Sequence, residues 1–153
     1  MNFKLSYAGA DDINLLVTHR LNMWRDIHPE FGAKVDESEG RTRTWIGRKL
    51  AEGKLIGFIA RTAGGKVAGS GCIWLRDEQP RPANPSQEVP YLMSMYTEPK
   101  FRRKGVAKMI VRRALKWCRD HGYDRLNLHA SAQGKPLYQS LGFEPTTEMR
   151  LKF

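Results

Sequence analysis

Across Pro99 the spacing of apolar residues changes from every second position to every third or fourth, and that switch constrains the fold more than any other feature of the chain. Val89 to Thr97 reads as a strand, with Pro90 confining its start to an edge or a bulge. From Arg103 to His121 the residues Val106, Ile110, Ala114, Trp117 and Cys118 line one helical face, and Gly122 suits the position just past the end. Between the two lies Arg102-Arg103-Lys104-Gly105-Val106-Ala107. A helix N-terminus exposes backbone N–H groups and the positive end of its dipole, which together make an anion site. Gly105 lets the backbone approach a bound oxygen without a Cβ, and Ala107 keeps the following step close. Arg102, Arg103 and Lys104 crowd this turn, where the dipole disfavours cations, and a phosphate would offset that conflict. The plain alternative is a surface turn with solvated charges. The glycine spacing is neither a Walker A loop nor a dinucleotide fingerprint.

The rest of the chain reads as one α/β domain without repeats or low-complexity tracts. Phe3 to Tyr7 alternates as a first strand. Asp11 and Asp12 then open a helix whose apolar face is Ile13, Leu16, Val17, Leu21, Trp24 and Ile27, stopped by Pro29. The spacing predicts a second helix over Glu37 to Glu52, with Trp45, Ile46 and Leu50 inward. Two strands, Leu55–Thr62 and Lys66–Arg76, form a hairpin around Ala63-Gly64-Gly65. Gln79 to Glu88 is a proline-containing loop. Beyond the long helix, Leu126 to Ala130 is a short strand, Lys135 to Leu141 a short helix, and Phe143 to Phe153 supplies the closing strand or strands. The sheet these elements build is mixed and mostly antiparallel.

Composition narrows the function classes. The chain has 153 residues with 26 Lys and Arg against 16 Asp and Glu, a net charge of +10 that attracts anions. Cys72 and Cys118 are too few for a disulfide scaffold, which favours a reducing, cytoplasmic setting. No stretch approaches the ~20 apolar residues of a membrane span. The cations are scattered and carry no recognised nucleic-acid motif, so a nucleic-acid-binding domain is the weaker alternative.

Met95-Tyr96-Thr97-Glu98-Pro99 followed by Arg102-x-x-Gly105-x-Ala107 resembles the acetyl-CoA-binding signature of the GNAT superfamily of N-acetyltransferases. Leu137-Tyr138-Gln139-Ser140-Leu141-Gly142-Phe143 is similar to the family's Leu-Tyr-x-x-x-Gly-Phe segment, in the usual order and separation. The resemblance implies an α/β (α+β) GNAT-like domain over residues 1–153, its mostly antiparallel sheet flanked by helices with splayed strands at its centre. It implies that Arg102, Arg103, Lys104, Gly105, Val106, Ala107 and Lys108 hold the CoA pyrophosphate, and that Met95, Tyr96 and Thr97 run beside the pantetheine arm. Ser131 stands where many members carry a longer asparagine that contacts the same arm, and Gly134 replaces a common alanine. Tyr138 resembles the family's general acid, a phenol of pKa ~10 that stays protonated at neutral pH.

The implied activity is transfer of an acetyl group from acetyl-CoA, as co-substrate, to a primary amine by direct attack in a ternary complex. No metal is called for. The acceptor is a small-molecule or protein amine, and a homodimer is left open. A CoA-binding sensor without turnover is a further alternative. Backbone N–H groups near Met95 to Thr97 would stabilise the oxyanion. Glu88, acting through water, and His129 are the candidate bases. Arg20, Trp24, Asp26, His28 and Glu30 are in range of the acceptor, although Trp24 also fits the apolar face of its helix.

Overall fold

The computed structural model describes all 153 residues. Strand β1 (Phe3–Tyr7) leads through a 3-10 turn at Ala10–Asp12 into α1 (Ile13–Ile27), followed by α2 (Ala33–Glu37) and α3 (Glu39–Ala51). Strands β2 (Leu55–Thr62), β3 (Val67–Asp77) and β4 (Glu88–Thr97) come next, then α4 (Val106–Asp120), β5 (Asn127–Leu128) and α5 (Lys135–Ser140). The sheet runs β1-β2-β3-β4-β5, antiparallel throughout except for the parallel β4–β5 pair. No helix is long and apolar enough to cross a membrane.

Alternation along the strands divides the core between the two faces of the sheet. Phe58, Ile73 and Leu92 pack under Ile110, Val111 and Ala114 of α4. Leu55 and Cys72 point the other way, against Leu16, Val17 and Leu21 of α1 and Ile46 of α3. α4 is strongly amphipathic, and its inward residues Ile110, Val111 and Ala114 are fully buried. The sheet is therefore clamped between helices, and β4 becomes a fixed wall.

The fold departs from the expectations in three places. The second helix is found as α3, and a short helix that the spacing does not mark, α2, precedes it, with the chain turning at Ser38. The long helix starts at Val106 rather than Arg103, since Arg103 and Gly105 have positive φ of 60° and 84° and stand outside the helix. Phe143 to Phe153 adds no strand, and its alternating Met149, Leu151 and Phe153 lie exposed. The outer edge of β5 is a two-residue template, and Pro145 has no N–H to give it. Pro90 itself sits opposite Leu75, one residue before β4 meets β5.

The packing predicts a sharp contrast between two alanine variants. Ile110→Ala, at a position with 0% exposure, is expected to cost ~2–5 kcal/mol, whereas Met149→Ala should stay within ~0.5 kcal/mol. Urea denaturation of both variants checks this, and similar midpoints would contradict it.

Candidate active site

β4 meets β5 only at Tyr91–Asn127 and Leu92–Leu128, and then the two strands part. Against β3, the register passes from Cys72–Met93 to Ser70–Tyr96, so β4 carries one extra residue there. Ser94, with φ of 56°, takes the strain of that bulge. From the bulge to Thr97 the backbone of β4 has a sheet neighbour on one side only.

The open side of β4 leads directly to the glycine turn. The N–H groups of Arg103 to Lys108 donate no backbone hydrogen bond; the first bond of α4 runs from Met109 N–H to the Gly105 carbonyl at 3.0 Å. Positive φ at Arg103 and Gly105 curls these donors into a concave turn. A side chain at position 105 would be strained by φ of 84° even though the space beside it is open. Arg102 is braced rather than free, since it donates to Asp26 Oδ2 at 2.7 Å and to the Thr97 carbonyl at 3.0 Å. Arg103, Lys104 and Lys108 are exposed and make no ion pair within the chain, a donor set suited to a polyanion.

A cleft of about 560 Å³ joins these features. Met95, Tyr96, Thr97, Arg102, Arg103, Gly105, Val106, Ala107, Lys108, Ser131 and Tyr138 all line it. Lys104 does not, because its ammonium lies 5.8 Å from the centre of the Phe101 ring. Ser131 Oγ accepts from the Gly134 N–H at 3.1 Å, which ties the approach to α5. A Cβ at Gly134 would come within 3.0 Å of the Tyr138 ring, so glycine in place of alanine lets that ring lie against the backbone. The Tyr138 hydroxyl makes no hydrogen bond within the protein, and burial pushes its pKa up.

A second cleft, of about 640 Å³, lies beyond β5 and shares Tyr138 with the first. His129 lines it and joins a short polar chain: Tyr91 Oη contacts His129 Nδ1, and His129 Nε2 lies 2.9 Å from Glu148 Oε2. Glu88 is held by Lys54 Nζ at 2.7 Å and lines neither cleft, so the geometry does not bring it to Tyr138. At the end of α1, Trp24 packs at a tilt against His28 and Phe31, and His28 bonds Glu30 at 2.7 Å.

The model of the Acetyltransferase (GNAT) family matches residues 20–143. The chain belongs to the GNAT acetyltransferase family. Among solved structures, a GCN5-related N-acetyltransferase from Ralstonia eutropha JMP134 has 25% identity and a TM-score of 0.91, with 99% of each chain covered. A predicted acetyltransferase from Clostridium acetobutylicum, solved with acetyl-CoA, has 27% identity and a TM-score of 0.85 over 99% of this chain and 96% of that one. Glucosamine-6-phosphate N-acetyltransferase from Arabidopsis thaliana shares the fold at 14% identity and a TM-score of 0.71, over 100% of this chain and 99% of that one. No curated protein sequence matches the chain.

Within this GNAT domain, α1 carries a buried polar group that the periodicity of the sequence does not reveal. His19 is 1% exposed, its Nδ1 lies 2.7 Å from Ser70 Oγ and its Nε2 lies 3.0 Å from Glu98 Oε1. Burial favours the neutral imidazole, and in that form Nε2–H donates to the carboxylate while Nδ1 accepts from the Ser70 hydroxyl. Its ring also packs 4.9 Å from that of Tyr96. Ser94 and Tyr91 escape sequence reading for a related reason. A bulge leaves no mark in a short apolar run, and a strand tyrosine reads as packing.

Burial lowers the pKa of His19 below its ordinary 6.5, partly opposed by the hydrogen bond to Glu98. The unfolded chain therefore takes up a proton as pH falls below 6.5 while the folded chain does not. The contribution of His19 to stability is complete above that pH and declines below it. Nitrogen-detected NMR titration is expected to show His19 neutral below pH 6.5, with denaturation midpoints falling in the same window. A His19 signal that titrates above 6.5 would contradict the arrangement.

Proposed function

We propose that this GNAT domain transfers an acetyl group from acetyl-CoA to a primary amine by direct attack in a ternary complex. The observation that carries this reading is the continuity of one cleft from the unpaired N–H groups of Arg103–Lys108, along the open side of β4, to the unbonded hydroxyl of Tyr138. The donor set at the turn fits a pyrophosphate, and the free strand side at Met95 to Thr97 fits an extended amide-bearing arm. When bound, the thioester supplies the activated acetyl group.

The residues of the chain divide the remaining work. The turn holds the diphosphate with backbone N–H groups, and Arg103 and Lys108 neutralise it. Backbone N–H groups beside the bulge polarise the acetyl carbonyl. An alkylammonium of pKa ~10 must lose a proton before it attacks. Tyr91 relays that proton: its hydroxyl passes a proton to His129 Nδ1 as it takes one from the amine, and Glu148, 2.9 Å from Nε2, stabilises the imidazolium. As the carbon–sulfur bond breaks, Tyr138 donates its hydroxyl proton to the departing thiolate. Its raised pKa keeps that proton in place until then.

Acetyl-CoA is expected to raise the melting temperature of the wild-type protein by mass action. Gly105→Asp should abolish that shift, because it strains φ of 84° and sets a carboxylate among the phosphate donors. An unchanged melting temperature at saturating acetyl-CoA would remove the reading.

Tyr138→Phe keeps the ring and deletes only the acid. It is expected to lower kcat by ~10²–10⁴-fold with acetyl-CoA affinity unchanged. A loss below about threefold in single-turnover chemistry would exclude the acid role.

A further inference from the structure

We propose that the acceptor carries an anionic group, a carboxylate or a phosphate, beside its amine, and that the guanidinium of Arg20 binds it. This rests on the acetyltransferase reading and names the substrate class that reading leaves open.

Arg20 reaches from α1 to the bulge of β4, where its Nη1 donates to Ser94 Oγ at 2.8 Å. That neutral hydroxyl is its one side-chain hydrogen-bond partner, and it has no ion pair. A guanidinium has five N–H donors and cannot shed its charge by deprotonation in a protein. Two other arginines differ in this respect: Arg76 bonds Glu78 at 2.8 Å and Arg102 bonds Asp26 at 2.7 Å. Burial lowers the pKa of Arg20, and the groups that oppose this are Cys72 and Tyr91, both uncharged at neutral pH. A half-buried cation with no counter-charge is costly unless something supplies one.

Its position names the supplier. Arg20 sits at the bulge, on the face of the sheet opposite α4, and its guanidinium carbon lies 5.5 Å from the centre of the Trp24 ring. Tyr91 and Trp74 pack edge to face on that same side, their ring centres 6.3 Å apart. An acceptor entering beside the bulge would meet aromatic walls and one unpaired positive charge. An anionic group on the acceptor completes the fork of Arg20. The same charge disfavours the ammonium form of a nearby amine, which helps the amine reach its nucleophilic state. A polycationic acceptor would meet repulsion here.

The test has a binding arm and a turnover arm. With the protein saturated by CoA, so that the turn is occupied, inorganic phosphate and malonate are titrated and thermal stability is followed. At least one of them is expected to raise the melting temperature of the wild type and to have no effect on Arg20→Met. Arg20→Lys, which keeps the charge, should retain part of the response.

In the turnover arm, thiol release is measured for matched amines: an α-amino acid against its carboxamide, and 2-aminoethyl phosphate against ethanolamine. The pair with the larger ratio tells carboxylate from phosphate. Charge-assisted hydrogen bonding predicts about a 10-fold to 100-fold higher kcat/KM for the anionic member. In Arg20→Met that ratio should fall to within about threefold of unity. A role confined to holding Ser94 would lower both members equally and leave the ratio intact, which overturns the proposal. Equal or better use of the neutral amines by the wild type also overturns it, while leaving acetyl transfer standing. Anion binding that depends on Arg20, without thiol release from any amine, would support the anion site and defeat acetyl transfer instead.

Discussion

Beyond Leu92, β4 has a hydrogen-bonded strand on one side and none on the other, and most of the site follows from that asymmetry. Strand amides must be satisfied by something, so the free side is a template for an extended ligand or for water. It can stay open only because β4 is held rigidly from elsewhere. The full-length antiparallel ladder to β3 supplies one hold, from Glu88 opposite Asp77 to Thr97 opposite Gly69. The packing of Leu92 and Met95 against the cluster under α4 supplies another.

The third hold is α1, which grips β4 and its exit at three successive heights. Arg20 reaches Ser94 at the bulge, His19 reaches Glu98 where the strand ends, and Asp26 reaches Arg102 at the entrance to the turn. Two of these partners, Ser94 and Arg102, border the places where the proposed chemistry and the proposed phosphate binding occur. The helix nearest the proposed acceptor is thus mechanically tied to the turn that would hold the cofactor. His19 is the most constrained of the three, because a buried imidazole bonded on both nitrogens has one tautomer and no freedom of position.

How much of this was legible depended on whether the signal was periodic. The apolar face of α4, the Gly-Gly hairpin and the strand before Pro99 each repeat a simple rule, and their positions in the sequence nearly coincide with those in the fold. Gly105 and Tyr138 could be singled out because they sit in short motifs of fixed spacing. Ser94, His19 and Glu148 could not, because each acts through a partner far away in sequence. Phe143 to Phe153 fails in the opposite direction. Its alternation at Met149, Leu151 and Phe153 is as regular as that of any strand, yet a strand needs a neighbour, and β5 offers two residues. Periodicity reports which side a residue would face, not whether a partner exists.

The excess of positive charge resolves into two kinds once exposure is considered. Arg103, Lys104 and Lys108 stand in water around the turn, where high dielectric and salt weaken any single contact but leave a field that draws a polyanion in. Charges of that kind act on the rate of encounter more than on discrimination. Arg20 is half-buried, shielded from salt, and fixed by Ser94 in one orientation. A cation so placed adds little to long-range steering, but a partner that lacks the complementary charge leaves it unpaired in a poorly solvated site. On the proposed reading, specificity would come from the cost of the wrong acceptor as much as from the fit of the right one. On that same reading, the sheet opening and the helix that braces it set two tasks apart on one domain: the exposed turn would recruit, and the shielded guanidinium beside the bulge would select.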